Sequence, residues 1–471
     1  MFIQTVFRGR VRSGFVLSVL LAPAAACSGS NQASNGTVGN GSASDAGGSA
    51  GDGSVQVVLP VEVLEASSES CTAPNLVCDG GCLTNDALNC GSCGNVCPAA
   101  EGGTPTCTAT GGTYACGIAC ETGFTSCGGA CVPTTTFQSD PNNCGSCGYG
   151  CMAGECVGGS CQPWALATGL GLPIQVATDG VHVAYCAGAG GFEVPLTGGT
   201  TVQLTPDIST CSTIAMGGGQ VAFGDQSSGS VNSILVAIDD QASSAVSVNV
   251  ASTGPILSIA LSHDGTTAYP DVGGVIDSCA LGSAASCASL FTPPGAPGTV
   301  NTLATTSAYL FTTDVARGQL LRYLLPSGPS TAVASDSGLS QYIALDATYV
   351  YWASFSGSTW SINRVSQINP TTTQLVATIP FPHVGGIATD GSNVYAIGSS
   401  SSDGSLASYI AYAPIPTSSA DAGADAGNAA SGPTAAVTIY EGDEVDGLAA
   451  GGGAIVWADI TTSKIYALRA P

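Results

Sequence analysis

The sequence predicts an all-β protein in which two small disulfide-rich modules precede a ring of four-stranded sheets, a β-propeller. Three observations predict this class. Of the 471 residues, 65 are Gly and only 8 are Lys or Arg, a composition that disfavours long surface helices. Sixteen of the 21 cysteines lie between residues 71 and 161. From residue 162 onward, a pattern of short apolar strands and glycine-containing turns returns seven times.

Residues 1–26 have the features of an export signal. Three arginines within residues 8–12 are followed by an apolar run at 14–22 and then by small residues. The run is shorter than the roughly 20 residues that a helix needs to cross a bilayer. The sequence AAAC at 24–27 resembles the lipobox of bacterial lipoproteins, although alanine replaces the usual leucine. The resemblance implies a lipid on Cys27; ordinary cleavage after Ala-x-Ala is the alternative.

Residues 27–70 are predicted to form a disordered tether. The stretch 28–53 consists almost wholly of Ser, Gly, Asn and Ala, which cannot bury a core. A chain of this composition is flexible, and its reach grows with the square root of its length. It would connect a lipid anchor to a folded body.

Residues 71–118 and 119–161 are predicted to be two Cys-rich modules. They share Cys-x6-Cys-x3-Cys, a variable loop, and Asp-x-x-Asn-Cys-x-x-Cys-x3-Cys. Each is too short and too poor in large apolar side chains to fold by burial alone, so we expect four disulfides per module, with 105 connectivities open. The predicted half-cystines are Cys71, Cys78, Cys82, Cys90, Cys93, Cys97, Cys107, Cys116, Cys120, Cys127, Cys131, Cys144, Cys147, Cys151, Cys156 and Cys161.

Zinc is the alternative use of these cysteines. Cys90 and Cys93 with Cys144 and Cys147 could supply four thiolate ligands. Disulfides are favoured, because each Cys-x-x-Cys pair lies inside its own eight-cysteine repeat and an exported chain meets an oxidising compartment. The modules also resemble the Asn-Cys-Gly-x-Cys-Gly repeats of secreted and surface proteins of Gram-negative bacteria. That resemblance implies an extracellular setting and no particular activity.

Residues 162–471 are predicted to form the propeller. Clear copies of the repeat are QVATDGVHVAY (175–185), YIALDATYVYW (342–352) and GIATDGSNVYA (386–396). Each is an apolar strand, a tight turn and a strand with an aromatic residue, and two further strands often follow. One four-stranded blade then occupies roughly 40 to 45 residues. Seven copies predict seven blades, and a degenerate fourth copy at 302–311 also allows six or eight.

Two further features belong to this region. The strand at 162–170 has no blade, whereas the last copy supplies only three strands, so we expect the two to pair and close the ring. A low-complexity insert at 417–435 is predicted to be a disordered loop of the sixth blade. The repeated phrase resembles the propellers of bacterial exported proteins related to TolB and NHL-type repeats, which implies the fold but no activity.

One aromatic residue recurs in every copy of the repeat, and we expect it to pack between blades because an aromatic at a repeat period is usually core. The set is Tyr185, Phe223, Tyr269, Phe311, Trp352, Tyr395 and Trp457. The remaining cysteines suggest two more bridges. Cys186 and Cys211 could join the first two blades, and Cys279 and Cys287 could bridge a hairpin.

No catalytic residue is predicted. The three histidines, His182, His263 and His383, occupy positions that are not equivalent in the repeat, and we interpret them as surface turn residues. The acidic run at 441–446 is interpreted as a solvated loop, with a loose Ca²⁺ site as the alternative. No cofactor is expected, and Ca²⁺ is the alternative considered for the propeller. The candidate Ca²⁺ ligands are Asp225, Asp271, Asp314 and Asp459. Each of these aspartates could instead cap its own turn.

The charge excludes one class of partner. The net charge is −24, and phosphate backbones are bound through Lys and Arg, so nucleic acid is not expected. The sequence predicts a monomeric lipoprotein of the cell envelope, at the outer membrane or cell surface, that binds or scaffolds a protein or other ligand. Glycan binding by the modules would need aromatic platforms that they scarcely contain. The alternative is a metal-dependent lyase or hydrolase acting at the central funnel.

Overall fold

The computed structural model covers the cysteine modules and the propeller, with gaps. The chain divides into two compact units, Met1–Ser67 and Ser68–Pro471, and all described residues belong to the second. The predicted export signal, Cys27 and the tether lie outside the described residues. The structure describes residues 71, 75–78, 81–173, 175–188, 190–205, 208, 211–225, 233–282, 286–292, 302–400, 408–416, 434–442 and 444–471.

The cysteine modules consist of short antiparallel hairpins and one 3₁₀ turn at Thr136–Gln138. Few of their side chains are buried, and several of the buried ones are half-cystines, such as Cys90, Cys144 and Cys151. Covalent links thus replace an apolar core, as the small size of each module requires. The hairpin strands are Leu76–Cys78 with Gly81–Leu83, Gly103–Thr110 with Thr113–Cys120, Phe124–Cys127 with Ala130–Pro133, and Cys156–Val157 with Ser160–Cys161.

All sixteen module cysteines are paired, and the two modules use one connectivity. Counting the cysteines of each module from one to eight, the pairs are 1–3, 2–5, 4–7 and 6–8. Each cysteine of the alternative zinc set is therefore half of a disulfide within its own module. The bridges are Cys71–Cys82, Cys78–Cys93, Cys90–Cys107 and Cys97–Cys116, then Cys120–Cys131, Cys127–Cys147, Cys144–Cys156 and Cys151–Cys161.

The rest of the unit is a seven-bladed β-propeller, as the seven copies of the repeat predict. In blades 1 to 6, four antiparallel strands follow one another in space as in sequence, counted from first to fourth. Blade 1 has strands Val176–Thr178, His182–Ala187, Gly190–Pro195 and Val202–Thr205; blade 2, Cys211–Gly217, Gln220–Asp225, Ser233–Ile238 and Val246–Asn249; blade 3, Ile256–Leu261, Thr267–Val272, Val275–Ala280 and Ser286–Phe291; blade 4, Leu303–Thr305, Tyr309–Asp314, Gln319–Leu324 and Ser330–Ser335. Blade 5 has Leu339–Leu345, Tyr349–Ser356, Thr359–Ser366 and Gln374–Ile379; blade 6, His383–Thr389, Asn393–Ser399, Ser408–Pro414 and Val437–Gly442; blade 7, Val445–Gly451, Ala454–Asp459 and Lys464–Arg469, completed by Trp164–Thr168.

The ring closes as predicted from the spare strand. Trp164–Thr168 pairs antiparallel with Lys464–Arg469 and is the fourth strand of blade 7. The first strands of successive blades contact one another all the way round, from blade 1 to blade 7 and back to blade 1. The first strands therefore surround the axis, and the fourth strands lie at the rim.

The two faces of the ring differ in their turns. The hairpin face carries the turns from first to second strand, such as residues 179–181 and 262–266; the entry face carries the opposite ends of those strands. In blade 2, Gly218 and Gly219 have φ of 59° and 72°, the left-handed values that a two-residue hairpin turn requires. In blades 1, 5 and 6 an aspartate forms the turn instead, and its Oδ1 accepts from the amides two and three residues later at 2.6 to 2.8 Å.

The recurring aromatics are all buried and face neighbouring blades, which confirms the prediction for them, but they fall into two registers. Four of them pack toward the preceding blade and pair directly with an apolar residue of the first strand: Tyr185 with Val176, Phe223 with Ile214, Trp352 with Ile343 and Trp457 with Leu448. Tyr269, Phe311 and Tyr395 are shifted by one position and pack toward the following blade. A shift of one residue reverses the face of a strand on which a side chain lies.

Both predicted propeller disulfides are present. Cys186–Cys211 joins blade 1 to blade 2, and Cys279–Cys287 joins the third and fourth strands of blade 3, where the two residues lie directly opposite each other. All twenty cysteines from Cys71 onward are thus in disulfides. Such a density is typical of exported or extracellular proteins. No helix in the described ranges has the length and apolarity needed to cross a bilayer.

Two contacts complete the architecture. The second module rests on the C-terminal strand of the propeller, since the Tyr149 hydroxyl donates to the Ala470 carbonyl at 2.9 Å and Arg469 lies over the Tyr149 ring. Residues 417–433 of the predicted insert lie outside the described residues. Its last two residues, Thr434–Ala435, pair in parallel with Gln374–Ile379 and add a fifth strand to the rim of blade 5.

Candidate functional site

The four aspartates considered as Ca²⁺ ligands lie at or next to the ends of second strands on the entry face, and three of them cap turns. Asp271, Asp314 and Asp459 accept from the backbone amide three residues later, at 2.8, 3.1 and 2.7 Å. Asp314 also forms an ion pair with Arg317 at 3.0 Å. Asp225, at the same place in blade 2, also has a partner. The geometry matches the turn-capping alternative, because a carboxylate oxygen that accepts its own turn amide is already satisfied.

The three histidines do not converge on the axis. His182 begins the second strand of blade 1 and His263 lies in the first turn of blade 3, both on the hairpin face. His383 begins the first strand of blade 6, on the entry face. A funnel site with a metal would need histidine and carboxylate side chains at one mouth, and the described histidines are divided between two.

A small cleft on the entry face lies between blades 6 and 7. It has a volume of about 220 Å³ and is lined by His383, Glu444 and Asp446, among others. Burial raises the pKa of the Asp446 carboxyl above its ordinary value, although its Oδ1 accepts from the Gly447 amide. The acidic run at 441–446 is therefore only partly solvated, because Asp446 lies within the first strand of blade 7.

Sequence reasoning missed a cluster on the hairpin face, where blades 1 and 2 meet. His182 Nδ1 lies 4.0 Å from Asp179 Oδ2, 3.6 Å from Glu193 Oε1 and 3.4 Å from Asp239 Oδ1. Asp179 belongs to the first turn of blade 1, Glu193 to its third strand, and Asp239 to the turn after the third strand of blade 2. The cluster, here called the D179–H182–E193–D239 cluster, thus spans two blades.

Burial and the like charge of its carboxylates make this cluster energetically unfavourable. Glu193 is 2% exposed, and burial, followed by the neighbouring Asp239, raises its pKa to about 8. His182 Nδ1, Glu193 Oε1 and Asp239 Oδ1 are buried atoms without a hydrogen-bond partner. In the described part of the chain, no Lys or Arg forms an ion pair with these carboxylates. Buried polar atoms are normally satisfied, whereas three of these four side chains each leave one buried atom without a partner.

The repeat itself carries a signal for this cluster. In blades 5 and 6 the second oxygen of the turn aspartate accepts from a tyrosine hydroxyl five residues later, Tyr351 to Asp346 at 2.5 Å and Tyr395 to Asp390 at 2.6 Å. In blade 1 the aligned residue is Ala184, so Asp179 Oδ2 has no such donor and faces His182 instead.

A groove opens on the hairpin face between blades 2 and 3. Its volume is about 840 Å³, and its walls include Val236, Ile238, Val246 and Val248 from the outer strands of blade 2. Ile238 and Val246 remain 42% and 58% exposed. The turns of blade 3 at 264–266 and 281–282 form the opposite wall. The wall from the outer strands of blade 2 is apolar, whereas the remaining lining includes the polar residues Gln220, Ser244, Asp264 and Thr266. Apolar walls combined with placed polar groups are typical of ligand sites.

Hydrogen bonds hold blades 2 and 3 together next to this groove. Asp277, fully buried in the third strand of blade 3, accepts from the amides of Ala251 and Ser252 at 2.8 Å and from the Ser252 hydroxyl at 2.6 Å. Charge-assisted hydrogen bonds of this kind are strong. The groove therefore opens toward the hairpin face, and the Asp277 hydrogen bonds hold blades 2 and 3 together at its closed end.

Comparison with known proteins does not identify a family. No family model and no curated protein matches the sequence. Among solved structures, a streptogramin B lyase is 13% identical with a TM-score of 0.46, over 65% of this chain and 96% of that one. The Swd1 β-propeller domain of Myceliophteria thermophila is 11% identical with a TM-score of 0.46, over 66% and 100%. A GH74 enzyme of Niastella koreensis is 9% identical with a TM-score of 0.47, over 62% and 52%. Similarities this low carry no argument about activity.

Proposed function

We propose that the protein is an exported, lipid-anchored binding protein of the cell envelope, which holds an extended apolar segment of a partner protein in the groove between blades 2 and 3. The observation that carries the proposal is the groove itself, with exposed Ile238 and Val246 at its edge. Exposed apolar side chains that line a concavity are typical of interaction sites.

The mode of binding follows from the rim of the propeller. In the described part of the chain, no strand pairs with the outer edge of Val246–Asn249. The rim of blade 5 is extended in this way by Thr434–Ala435. A partner strand added to blade 2 would satisfy the free backbone groups of the edge and place alternate side chains in the groove. Apolar residues at every second position of the partner segment are therefore expected.

The location of the protein is part of the same proposal. Ten disulfides favour an oxidising compartment, and the AAAC sequence at 24–27 supplies a lipidation motif on Cys27. Mature protein isolated from its native envelope should carry a diacyl or triacyl mass on Cys27. A free N-terminus after ordinary cleavage would contradict the anchor and leave the groove unaffected.

A peptide selection tests the groove. Displayed seven-residue peptides selected on the full chain should alternate apolar and polar residues, and their affinity should fall about tenfold or more with Val246→Asp, since a carboxylate must then be desolvated against the ligand. Val437→Asp is the matched control, because Val437 begins the outer strand of blade 6 and is 54% exposed. Peptides that bind both variants alike would refute the proposed site.

The competing function, a metal-dependent lyase or hydrolase at the central funnel, has less support: His383, Glu444 and Asp446 line one cleft on the entry face, but they are not among the described groups close enough to share an ion. The histidines lie on opposite faces, and three of the four candidate aspartates cap turns on the entry face. The binding proposal needs neither group.

A further inference from the structure

We propose that the D179–H182–E193–D239 cluster binds one divalent transition-metal ion of the zinc class, and that this ion links blade 1 to blade 2. The site is separate from the groove between blades 2 and 3 and does not depend on it. No residue of the cluster has a role in the binding function proposed above.

The first support is that buried polar atoms of the cluster have no hydrogen-bond partner. Glu193 is 2% exposed, yet its Oε1 has no hydrogen-bond partner and points toward His182 Nδ1, 3.6 Å away. Asp239 Oδ1 and His182 Nδ1 are likewise buried and unpartnered. A single cation placed among them would satisfy all three atoms and offset the mutual repulsion of the carboxylates.

The second support is the spacing. The atoms of Asp179, His182 and Asp239 that could bind an ion lie within 4.8 Å of one another. The separations from His182 Nδ1, 3.4 to 4.0 Å, exceed a hydrogen bond. A tetrahedral ion with bonds of about 2.0 Å keeps its ligand atoms about 3.3 Å apart, so these three residues are close to a coordinating arrangement. Glu193 lies outside that group, and its Oε1 must move toward the ion to become the fourth ligand.

The third support is the way in which the carboxylates are held. Asp179 Oδ1 accepts from the amides of Val181 and His182, each at 2.7 Å, which leaves Oδ2 directed at the imidazole. Glu193 Oε2 accepts from the Asp240 amide at 2.8 Å, which leaves Oε1 directed into the cluster. One oxygen of each group is fixed by the backbone and the other is free, the arrangement in which outer hydrogen bonds orient metal ligands.

The donor set selects the ion. One imidazole nitrogen with three carboxylates suits zinc and similar transition metals, whereas Ca²⁺ takes six to eight oxygen ligands and Mg²⁺ prefers oxygens with several waters. His182 is about one-fifth exposed and Asp179 about one-third, so an ion can enter from solvent. Because Asp239 comes from blade 2 and the other three ligands from blade 1, the ion would cross-link the blades beside the Cys186–Cys211 bridge.

Zinc titration of the untagged, chelator-treated full chain tests the proposal. We expect one Zn²⁺ per chain by calorimetry, a rise in the thermal midpoint with added Zn²⁺ because the ion binds only the folded state, and no comparable effect of Ca²⁺ or Mg²⁺. Co²⁺ in the same site should give the strong visible absorption of a four-coordinate nitrogen and oxygen set. Failure of Zn²⁺ to bind, or a Ca²⁺ effect of equal size, would overturn the proposal.

Two variants and a control assign the ion to these residues. Glu193→Gln keeps the shape of the buried side chain, and His182→Asn changes a partly exposed one; each should weaken Zn²⁺ binding by about tenfold or more. His263→Asn, in the corresponding turn of blade 3, should bind as the parent chain does. If His182→Asn retains full affinity or His263→Asn loses it, the ion lies elsewhere and the assignment is wrong. His182→Asn decides the matter even if Glu193→Gln does not fold.

Discussion

The packing of blade 2 on blade 1 can be tested at a single glycine. Gly191 lies in the third strand of blade 1, and the fully buried Phe223 ring of blade 2 occupies the space above it. A Cβ at Gly191 would lie 2.7 Å from Cε1 and Cζ of Phe223 and 3.0 Å from Cδ1. Carbon atoms in contact normally lie about 3.5 to 4.0 Å apart, so Gly191→Ala requires the ring or the strand to move by almost 1 Å.

The expected cost follows from that displacement. One extra methyl group in a filled core destabilises by about 1–3 kcal/mol. If the clash with the ring is the cause, the cost should shrink when the ring is replaced by a smaller side chain. In the Phe223→Leu background, Gly191→Ala should therefore cost less, with a coupling energy of about 1 kcal/mol or more.

Urea unfolding with intact disulfides measures these energies from the midpoint, provided that the m-value is unchanged. Gly386→Ala is the control, because Gly386 is also a strand glycine but has no atom within 4 Å of its added Cβ. It should alter stability by about 0.5 kcal/mol or less. An equal cost of Gly191→Ala with and without Phe223→Leu would refute the packing argument.

Two further predictions use the same measurement, and a third uses proteolysis. Tyr395→Phe removes the 2.6 Å hydrogen bond to Asp390 and should destabilise by about 1–2 kcal/mol; no loss would mean that water replaces the hydroxyl fully. Burial raises the pKa of the Asp446 carboxyl above 3.8, so the folded state favours the neutral acid and this stability is lost as pH rises; Asp446→Asn should gain stability relative to the parent as the pH rises above about 4, and a constant difference would contradict the assignment. Replacing Cys97 and Cys116 by Ser opens a 19-residue separation and should cost the first module about 3 kcal/mol, seen as protease cleavage there while the propeller keeps its near-ultraviolet dichroism; equal resistance of the module would show that the bridge is dispensable.

The blade count and the ring closure could be predicted because each blade repeats one hydrophobic pattern. The register of the aromatics could also be read from the sequence. It depends on whether the number of residues from the first-strand apolar residue to the aromatic is odd or even. Val176 and Tyr185 are nine residues apart and pair directly, whereas Ile387 and Tyr395 are eight apart and do not. Since strand residues alternate faces, this difference of one residue decides which neighbouring blade the aromatic contacts.

The candidate sites were harder to predict because they depend on pairings between distant strands. Asp179 and His182 are only three residues apart in the sequence. Glu193 is brought to them by strand pairing within blade 1, and Asp239 by the contact between two blades. Disulfide connectivity was open for a similar reason, since the spacing of eight cysteines allows every pairing. The groove depends on how blades 2 and 3 diverge from the Asp277 clamp, which no local pattern encodes.

The join within blade 7 constrains how the molecule can be made. Thr168 pairs with Lys464, so a strand that leaves the ribosome early must wait for about 300 further residues before its partner exists. During this interval the first-made edge stays open, while blades 1 to 6 can form from consecutive hairpins. A chain that stops short of Lys464 cannot complete the circle and leaves Trp164, 8% exposed in the closed ring, without its covering strand. Closure of the ring therefore depends on synthesis through Lys464–Arg469, because these residues cover the open edge of the strand Trp164–Thr168.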